Sequence, residues 1–436
     1  MKNLTEGKPL CVILLFALPL YIGQMFQLGY SLIDTRIIGS TLGEASLAAV
    51  GATTSLSDML IEFLNGIIAG FGILISTFYG AKDEAKLKKA IGGTALLGVM
   101  AAGIISIVSL LFLPQILRML NVSAPLWEEA SSYIRIILAG LAATALYNIC
   151  AAVLRAVGDS FTPLLFLVIS NVMNIVLDYI CILHLNMGVS GAAAATVFSQ
   201  ALSALLCFLF MRKKYRELLP GREGLKPDKK IYRQLLPTGL SMGFMISFVT
   251  LGSLALQTSI NTFGTNIIVA HTAARKATSL FLTPFFVLGT ALATYCGQNL
   301  GAEEYERIKR GIRDTVFLAF GWCGAVLAVI YLLSPQIIRL ITASSEREII
   351  DTASLYLKIN GVFYFLPALI CIFRNSMQGF GDKKTPLISS LIELAGKVVI
   401  AFWLAPVIGY MGVIISEPVV WAVMVLPLLV NMKKKL

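Results

Sequence analysis

The stretch Gly80-Ala81-Lys82-Asp83-Glu84-Ala85-Lys86-Leu87-Lys88-Lys89 occurs a second time, altered but in order, as Gly301-Ala302-Glu303-Glu304-Tyr305-Glu306-Arg307-Ile308-Lys309-Arg310. Two further segments repeat downstream of it. Gly158-Asp159-Ser160-Phe161-Thr162-Pro163-Leu164 returns as Gly381-Asp382-Lys383-Lys384-Thr385-Pro386-Leu387, and Gly188-Val189-Ser190-Gly191 as Gly409-Tyr410-Met411-Gly412. The three offsets are 221, 223 and 221 residues, and three ordered matches at a near-constant spacing identify an internal duplication. The halves are read as 1–215 and 232–436, joined by a polar linker at 216–231.

Around these turns the chain is apolar. Of its 436 residues 57% are hydrophobic and 14% charged, too few charges to keep a soluble domain of this length in solution. A bilayer resolves this, since each spanning helix takes roughly 20 apolar residues. Six spans are expected in the first half, at 10–38, 45–79, 90–113, 126–153, 162–184 and 189–211. Six more follow at 232–263, 267–299, 312–333, 349–372, 386–407 and 411–431. The apolar run from Leu10 passes Tyr30 without a small-residue cleavage site, so it reads as a first spanning helix and not as a cleaved leader. An even number of spans per half orients both halves alike, with an axis along the membrane normal. The expected fold is therefore an all-α integral membrane protein of twelve helices in two pseudo-symmetric six-helix bundles.

The net charge of +11 could suggest nucleic acid, but its carriers sit in short breaks between apolar runs. Lys82, Lys86, Lys88, Lys89, Arg307, Lys309, Arg310, Lys383 and Lys384 share one side of the twelve-span arrangement with the linker. The polar break at 212–231 that contains it brings Arg212, Lys213, Lys214, Arg216, Arg222, Lys226, Lys229 and Lys230, and Lys2, Lys8 and Lys433–Lys435 add to that side. This positive-inside pattern places both termini in the cytoplasm and leaves no role for nucleic acid. The seven cysteines lie scattered in apolar stretches with no CxxC, so neither a disulfide framework nor a zinc site is indicated.

The same elements resemble the multidrug and toxic compound extrusion (MATE) family over essentially the whole chain. The resemblance is carried by Ser31-Leu32-Ile33-Asp34-Thr35 with Gly39 and Leu47-Ala48-Ala49-Val50-Gly51, by Tyr79-Gly80-Ala81-Lys82, and by Leu154-Arg155-Ala156-Val157-Gly158-Asp159. The stretch from Asn171 to Asp178 and Gln298-Asn299-Leu300-Gly301-Ala302 complete it. It implies two six-helix lobes around a V-shaped cavity, and export of organic, often cationic or lipophilic compounds against inward H⁺ or Na⁺, without any other cofactor. It also implies a multi-pass protein of a bacterial plasma membrane. A monomer is expected, with small-molecule substrates and the lipid bilayer as partners.

An ionisable group at membrane depth costs roughly 2.5–3.5 kcal/mol on insertion scales, so each one in a span is a functional hypothesis. Asp34 lies in the first span. Asn174 and Asp178, four residues apart, share one face of the fifth. An amide oxygen beside a carboxylate can ligate Na⁺ or hold a protonated acid. The resemblance assigns Asp34, Asn174, Asp178 and Thr196 to the family's N-lobe cation site, and Pro19 to a hinge. The plainer readings are an interfacial Asp34, an Asn174 that glues helices together, a Thr196 that bonds its own backbone and a static kink at Pro19. Gln24, Gln27 and Tyr30, spaced three apart, are candidates to line a cavity. Asp58 and Glu62, again four apart, either line it or pair with a basic residue, and pairing is the favoured expectation.

The second half differs. Its residues 232–263 and 352–372 hold no Asp or Glu, which puts a cation site there in doubt. Arg275, Lys276, Glu393, Lys397 and Glu417 appear instead, with Glu393 and Lys397 spaced for an internal ion pair and Arg275 open to substrate contact. Of the two histidines, His184 is placed in an outer loop and His271 near the start of the eighth span.

No GxxxxGK[ST] and no HExxH is present, so neither an ATP-driven pump nor a zinc hydrolase is indicated, and the chain is not read as an enzyme. Within transport, a lipid-linked or metabolite flippase of related architecture is the alternative. A receptor-like or structural membrane protein would have no need of intramembrane carboxylates.

Overall fold

The computed structural model describes residues 3–221 and 224–435, so Lys2 and Arg222 of the basic side lie outside the described residues. Among those described, every regular element is helical. The first half holds α1 (Pro9–Leu42), α2 (Glu44–Gly80), α3 (Glu84–Leu111), α4 (Leu113–Met119), α5 (Trp127–Ala139), α6 (Leu141–Ala156), α7 (Phe161–Tyr179) and α8 (Val189–Lys214). The second holds α9 (Lys229–Ile260), α10 (Thr265–Gly301), α11 (Tyr305–Thr342), α12 (Arg347–Val362), α13 (Phe365–Gly379), α14 (Lys384–Val399), α15 (Ala405–Ile408) and α16 (Tyr410–Lys435).

Ten helices are long and apolar enough to cross a bilayer, and two bent pairs complete the twelve expected crossings. The pair α5 and α6 turns by 41° and the pair α12 and α13 by 55°. At the first bend Gly140 packs under α8, where a Cβ would lie 2.2 Å from the side chain of Val197. At the second, Pro367 enters the first turn of α13, where its missing N–H costs nothing. Large apolar side chains such as Leu32, Leu340 and Val407 stand 71–86% exposed, as a lipid-facing exterior requires.

The duplication reaches down to hydrogen bonds. In Gly158-Asp159 the carboxylate accepts from Thr162 N at 3.0 Å and Thr162 Oγ1 at 2.7 Å, fixing the start of α7. In Gly381-Asp382 it accepts from Thr385 N at 3.1 Å and Thr385 Oγ1 at 2.8 Å, fixing the start of α14. An Asp three residues ahead of a Thr satisfies an otherwise unpaired N–H in each helix's first turn. Both of these helices also end in a π-helical turn, at Ile180–His184 and Ile400–Leu404. His184, expected in a loop, closes the first of these turns.

The chain divides into two compact units. The first comprises Leu18–Gly243, and the second Leu4–Ala17 with Phe244 onward. Relative to the boundaries drawn from sequence, the start of α1 goes with the second unit and the start of α9 with the first. Hydrogen bonds account for the first of these assignments. Leu4 N donates to Gln298 Oε1 at 3.0 Å, Asn299 Nδ2 donates to Leu4 O at 3.2 Å, and Arg307 Nη1 donates to Gly7 O at 2.9 Å. Close backbone packing accounts for the second. A Cβ on Gly70 would come within 2.7 Å of the carbonyl oxygen of Thr238, so only glycine lets α2 approach α9 this closely.

Candidate functional site

In the first unit α1, α7 and α8 bring polar side chains together inside an apolar bundle. The i, i+4 spacing of Asn174 and Asp178 puts both on the inner face of α7, where their exposures are 1% and 0%. Tyr30 of α1 donates to Asn174 Oδ1 at 2.5 Å, and Asn174 Nδ2 faces Thr196 Oγ1 of α8 at 3.5 Å. Thr196 also donates to Ala192 O of its own helix at 3.0 Å, so its hydroxyl serves its own backbone and Asn174 at once. One turn before Asn174, Asn171 Nδ2 reaches Gln27 Oε1 at 3.5 Å.

Asp34 completes the cluster, with its carboxyl group a neighbour of that of Asp178. Asp34 Oδ1 and both carboxyl oxygens of Asp178 are buried without a hydrogen-bond partner. Gln200 Oε1 of α8 is buried and unpartnered as well. Two ionised carboxylates have no donor to share between them, whereas one added proton or one small cation would satisfy both. Asp34, Asn174, Asp178 and Thr196 are thus brought together. Tyr30 stands among them, and Gln27 on the same helix is joined to Asn171. Gln24 is exposed and outside the network, and Pro19 is interior to α1, one residue inside the boundary of the first unit.

Tyr133 of α5 was missed in the sequence, yet it neighbours Asp34, Asp58 and Asp178. The available signal was its repeat partner, Tyr356, at the same offset of 223 residues. Arg374 was also missed, because it lies two residues past the expected end of its span while α13 continues to Gly379.

Asp58 and Glu62 correct an expectation. Among the described residues neither forms an ion pair. Glu62 accepts only from Asn65 Nδ2, at 3.4 Å, and Asn148 Nδ2 in turn donates to Asn65 Oδ1 at 2.8 Å. Both carboxylates are exposed on a membrane-spanning helix. The bases of this unit lie mainly at its polar ends, so the pairing favoured from sequence has no partner to form with.

In the second unit the buried charged side chains among the described residues are paired. Glu417 of α16, 2% exposed, accepts from Arg275 Nη1 at 3.1 Å and from the Tyr356 hydroxyl at 2.6 Å. Glu393 of α14 meets Lys397 Nζ at 2.8 Å and Arg374 Nη2 at 3.5 Å. Lys397 also donates to Ser253 Oγ of α9 at 3.1 Å. His271 is buried with its Nδ1 3.1 Å from the Tyr410 hydroxyl, and Lys276 is exposed.

The family model described as MatE matches the chain twice, at residues 19–180 and 242–403. "Probable multidrug resistance protein YoeA" of Bacillus subtilis (strain 168) is 30% identical over 94% of this chain and 91% of that protein. "Probable multidrug resistance protein NorM" of Thermotoga maritima is 25% identical over 87% and 82% of the two chains. Among solved structures, one titled "Outward-facing conformation of a multidrug resistance MATE family transporter of the MOP superfamily" has a TM-score of 0.89 at 25% identity, covering 100% of this chain and 98% of that one. A crystal structure of MATE in the bent conformation, 24% identical, shares the fold with a TM-score of 0.90 over 100% and 98% of the chains. With the family model matching once in each half of the duplication, the chain belongs to the MatE family, the multidrug and toxic compound extrusion transporters.

Proposed function

We propose that this protein is a secondary active antiporter that exports organic, often cationic or lipophilic compounds in exchange for inward H⁺ or Na⁺. It works by rocker-type alternating access in a bacterial plasma membrane, as a monomer with both termini cytoplasmic. The observation that carries this reading is the Asp34–Asp178 pair, whose buried carboxyl oxygens have no partner and which, among the described residues, forms no ion pair with a base. Such a pair is stable at membrane depth only when it takes up a cation, so its occupancy tracks the gradient across the bilayer. The gradient is worth about 2.3 kcal/mol per elementary charge per 100 mV, enough to drive a conformational equilibrium.

Each residue has a part in this scheme. Asp34 and Asp178 hold the coupling ion. Asn174, oriented by the Tyr30 hydroxyl, supplies an amide oxygen or braces the protonated acid, and Thr196 adds a hydroxyl. Pro19 lets α1 bend as the charge on Asp34 changes, because its ring removes a helical hydrogen bond. Asp58 and Glu62, exposed without counter-charge, attract cationic substrates. Relatives named as multidrug resistance proteins support export of drug-like compounds.

Ethidium efflux from an efflux-deficient bacterial host tests the reading, with the proton gradient and then the sodium gradient collapsed, and with Asp34→Asn and Asp178→Asn alongside. Loss of efflux with one gradient and in both variants is expected, and it names the ion. Efflux that persists with both gradients collapsed overturns secondary transport. Absence of ethidium efflux in a folded protein removes drug export in favour of a metabolite or lipid substrate.

A further inference from the structure

The sequence repeat allows the two units to be compared residue by residue. Asn174 stands sixteen residues past Gly158, and Lys397 sixteen past Gly381. Thr196 stands eight past Gly188, and Glu417 eight past Gly409. Hydrogen bonds confirm this register on the remaining helix. Tyr30 bonds Asn174, and the residue 223 positions after Tyr30, Ser253, bonds the residue 223 positions after Asn174, Lys397. The helices that build the cation site of the first unit, α1, α7 and α8, therefore correspond to α9, α14 and α16.

In the second unit the two aspartates are absent, since Gln257 and Ala401 occupy the places matched to Asp34 and Asp178. A lysine occupies the place of the central amide. Its ammonium makes contacts that a bound cation would make, to Glu393 Oε1 at 2.8 Å and Ser253 Oγ at 3.1 Å, and the side chain is only 7% exposed. Its stem has its own passage. A Cβ added to Gly252 would lie 3.0 Å from Lys397 Cδ and 3.5 Å from Lys397 Cβ. At the matched Gly29 of the first unit a Cβ would meet nothing within 4 Å. The second unit fills with a lysine stem the space that the first leaves open beside its ion site.

We propose that Lys397 is a built-in cation, its ammonium seated on Glu393 and Ser253 in a monovalent-cation site that corresponds to the ion site of the first unit. The second unit is then permanently loaded, and only the first exchanges its cation. This rests on reading the first site as a cation seat, but the seat itself is tested without reference to transport.

Truncation by Lys397→Ala removes both stem and charge and vacates the seat for a small cation. The purified variant is heated in n-propylammonium chloride, sodium chloride or choline chloride at equal ionic strength. The proposal expects n-propylammonium, which replaces both stem and charge, to raise Tm by about 2 °C or more over choline, with sodium raising it less. Wild type and Lys397→Met, whose stem still fills the passage, are expected to show no such difference. The same shift is expected in an Asp34→Asn, Asp178→Asn background, which separates this inference from the first unit's role. A folded Lys397→Ala that responds alike to all three salts overturns the proposal, as does an equal response in Lys397→Met. If Lys397→Ala does not accumulate, its yield in membranes from cells grown with and without n-propylammonium gives the same reading, and an unchanged yield overturns the proposal.

Discussion

The two units share helices, turns and capping hydrogen bonds, and they treat charge in opposite ways. In the first, Asp34, Asp58, Glu62 and Asp178 stand on membrane-spanning helices with no base paired to any of them among the described residues. In the second, Glu393 is held by Lys397 and Arg374, and Glu417 by Arg275 and Tyr356. A duplicated scaffold therefore does not imply duplicated chemistry. A few substitutions at matched places turn a cluster with unpartnered carboxyl oxygens into one whose buried carboxylate is paired with a lysine. Removing a charge should relieve the first unit and strand a partner in the second.

The largest effect is expected from Asp178→Asn, which should bring gradient-driven ethidium efflux down to the host's background while leaving thermal stability unchanged or raised. A variant that both loses efflux and melts well below wild type would make Asp178 structural and erase the contrast. Next is Glu393→Ala, which strands the buried cations of Arg374 and Lys397. Breaking such a pair typically costs about 3–5 kcal/mol, read as lower Tm in detergent. A folded Glu393→Ala as stable as wild type would mean that the second unit's charges are no better matched than those of the first.

Paired substitution of Asp58→Asn and Glu62→Gln sharpens the comparison on the substrate side. These carboxylates are exposed, so losing both should raise the apparent KM for ethidium roughly fivefold, about 1 kcal/mol of attraction. An uncharged substrate should be unaffected, and an equal loss for both kinds would remove cation attraction as their role. The smallest effect concerns the prolines. Pro19→Ala is expected to slow turnover about threefold, since a hinge absorbs the bend when Asp34 changes charge. Pro237→Ala should leave turnover unaltered, because α9 carries Gln257 at the matched place. Full transport by Pro19→Ala would falsify the hinge.

Local chemistry made much of this legible in advance. The Gly-Asp-x-x-Thr-Pro repeat announced the starts of α7 and α14, because an Asp that caps a helix acts over three residues and needs nothing distant. Spans 45–79 and 267–299 match α2 and α10 to within two residues, since long apolar runs in lipid have only the helix to satisfy their backbone. The bends within the fourth and tenth spans were not legible. They depend on Val197 reaching Gly140 from another helix and on how a proline-bearing turn packs.

The sequence by itself determined twelve apolar helices, their duplication, and the presence of Asp34, Asn174, Asp178 and Thr196 on faces that could meet, because periodicity and covalent spacing are properties of the chain alone. Only the tertiary structure decided which charges are satisfied. It left Asp58 and Glu62 without the base expected for them, drew Arg374 and Ser253 onto Glu393 and Lys397, and gave the Lys397 stem its passage beside Gly252. Satisfaction of a charge depends on distances of about 3 Å between residues up to 144 positions apart, and those distances exist only once the helices have packed.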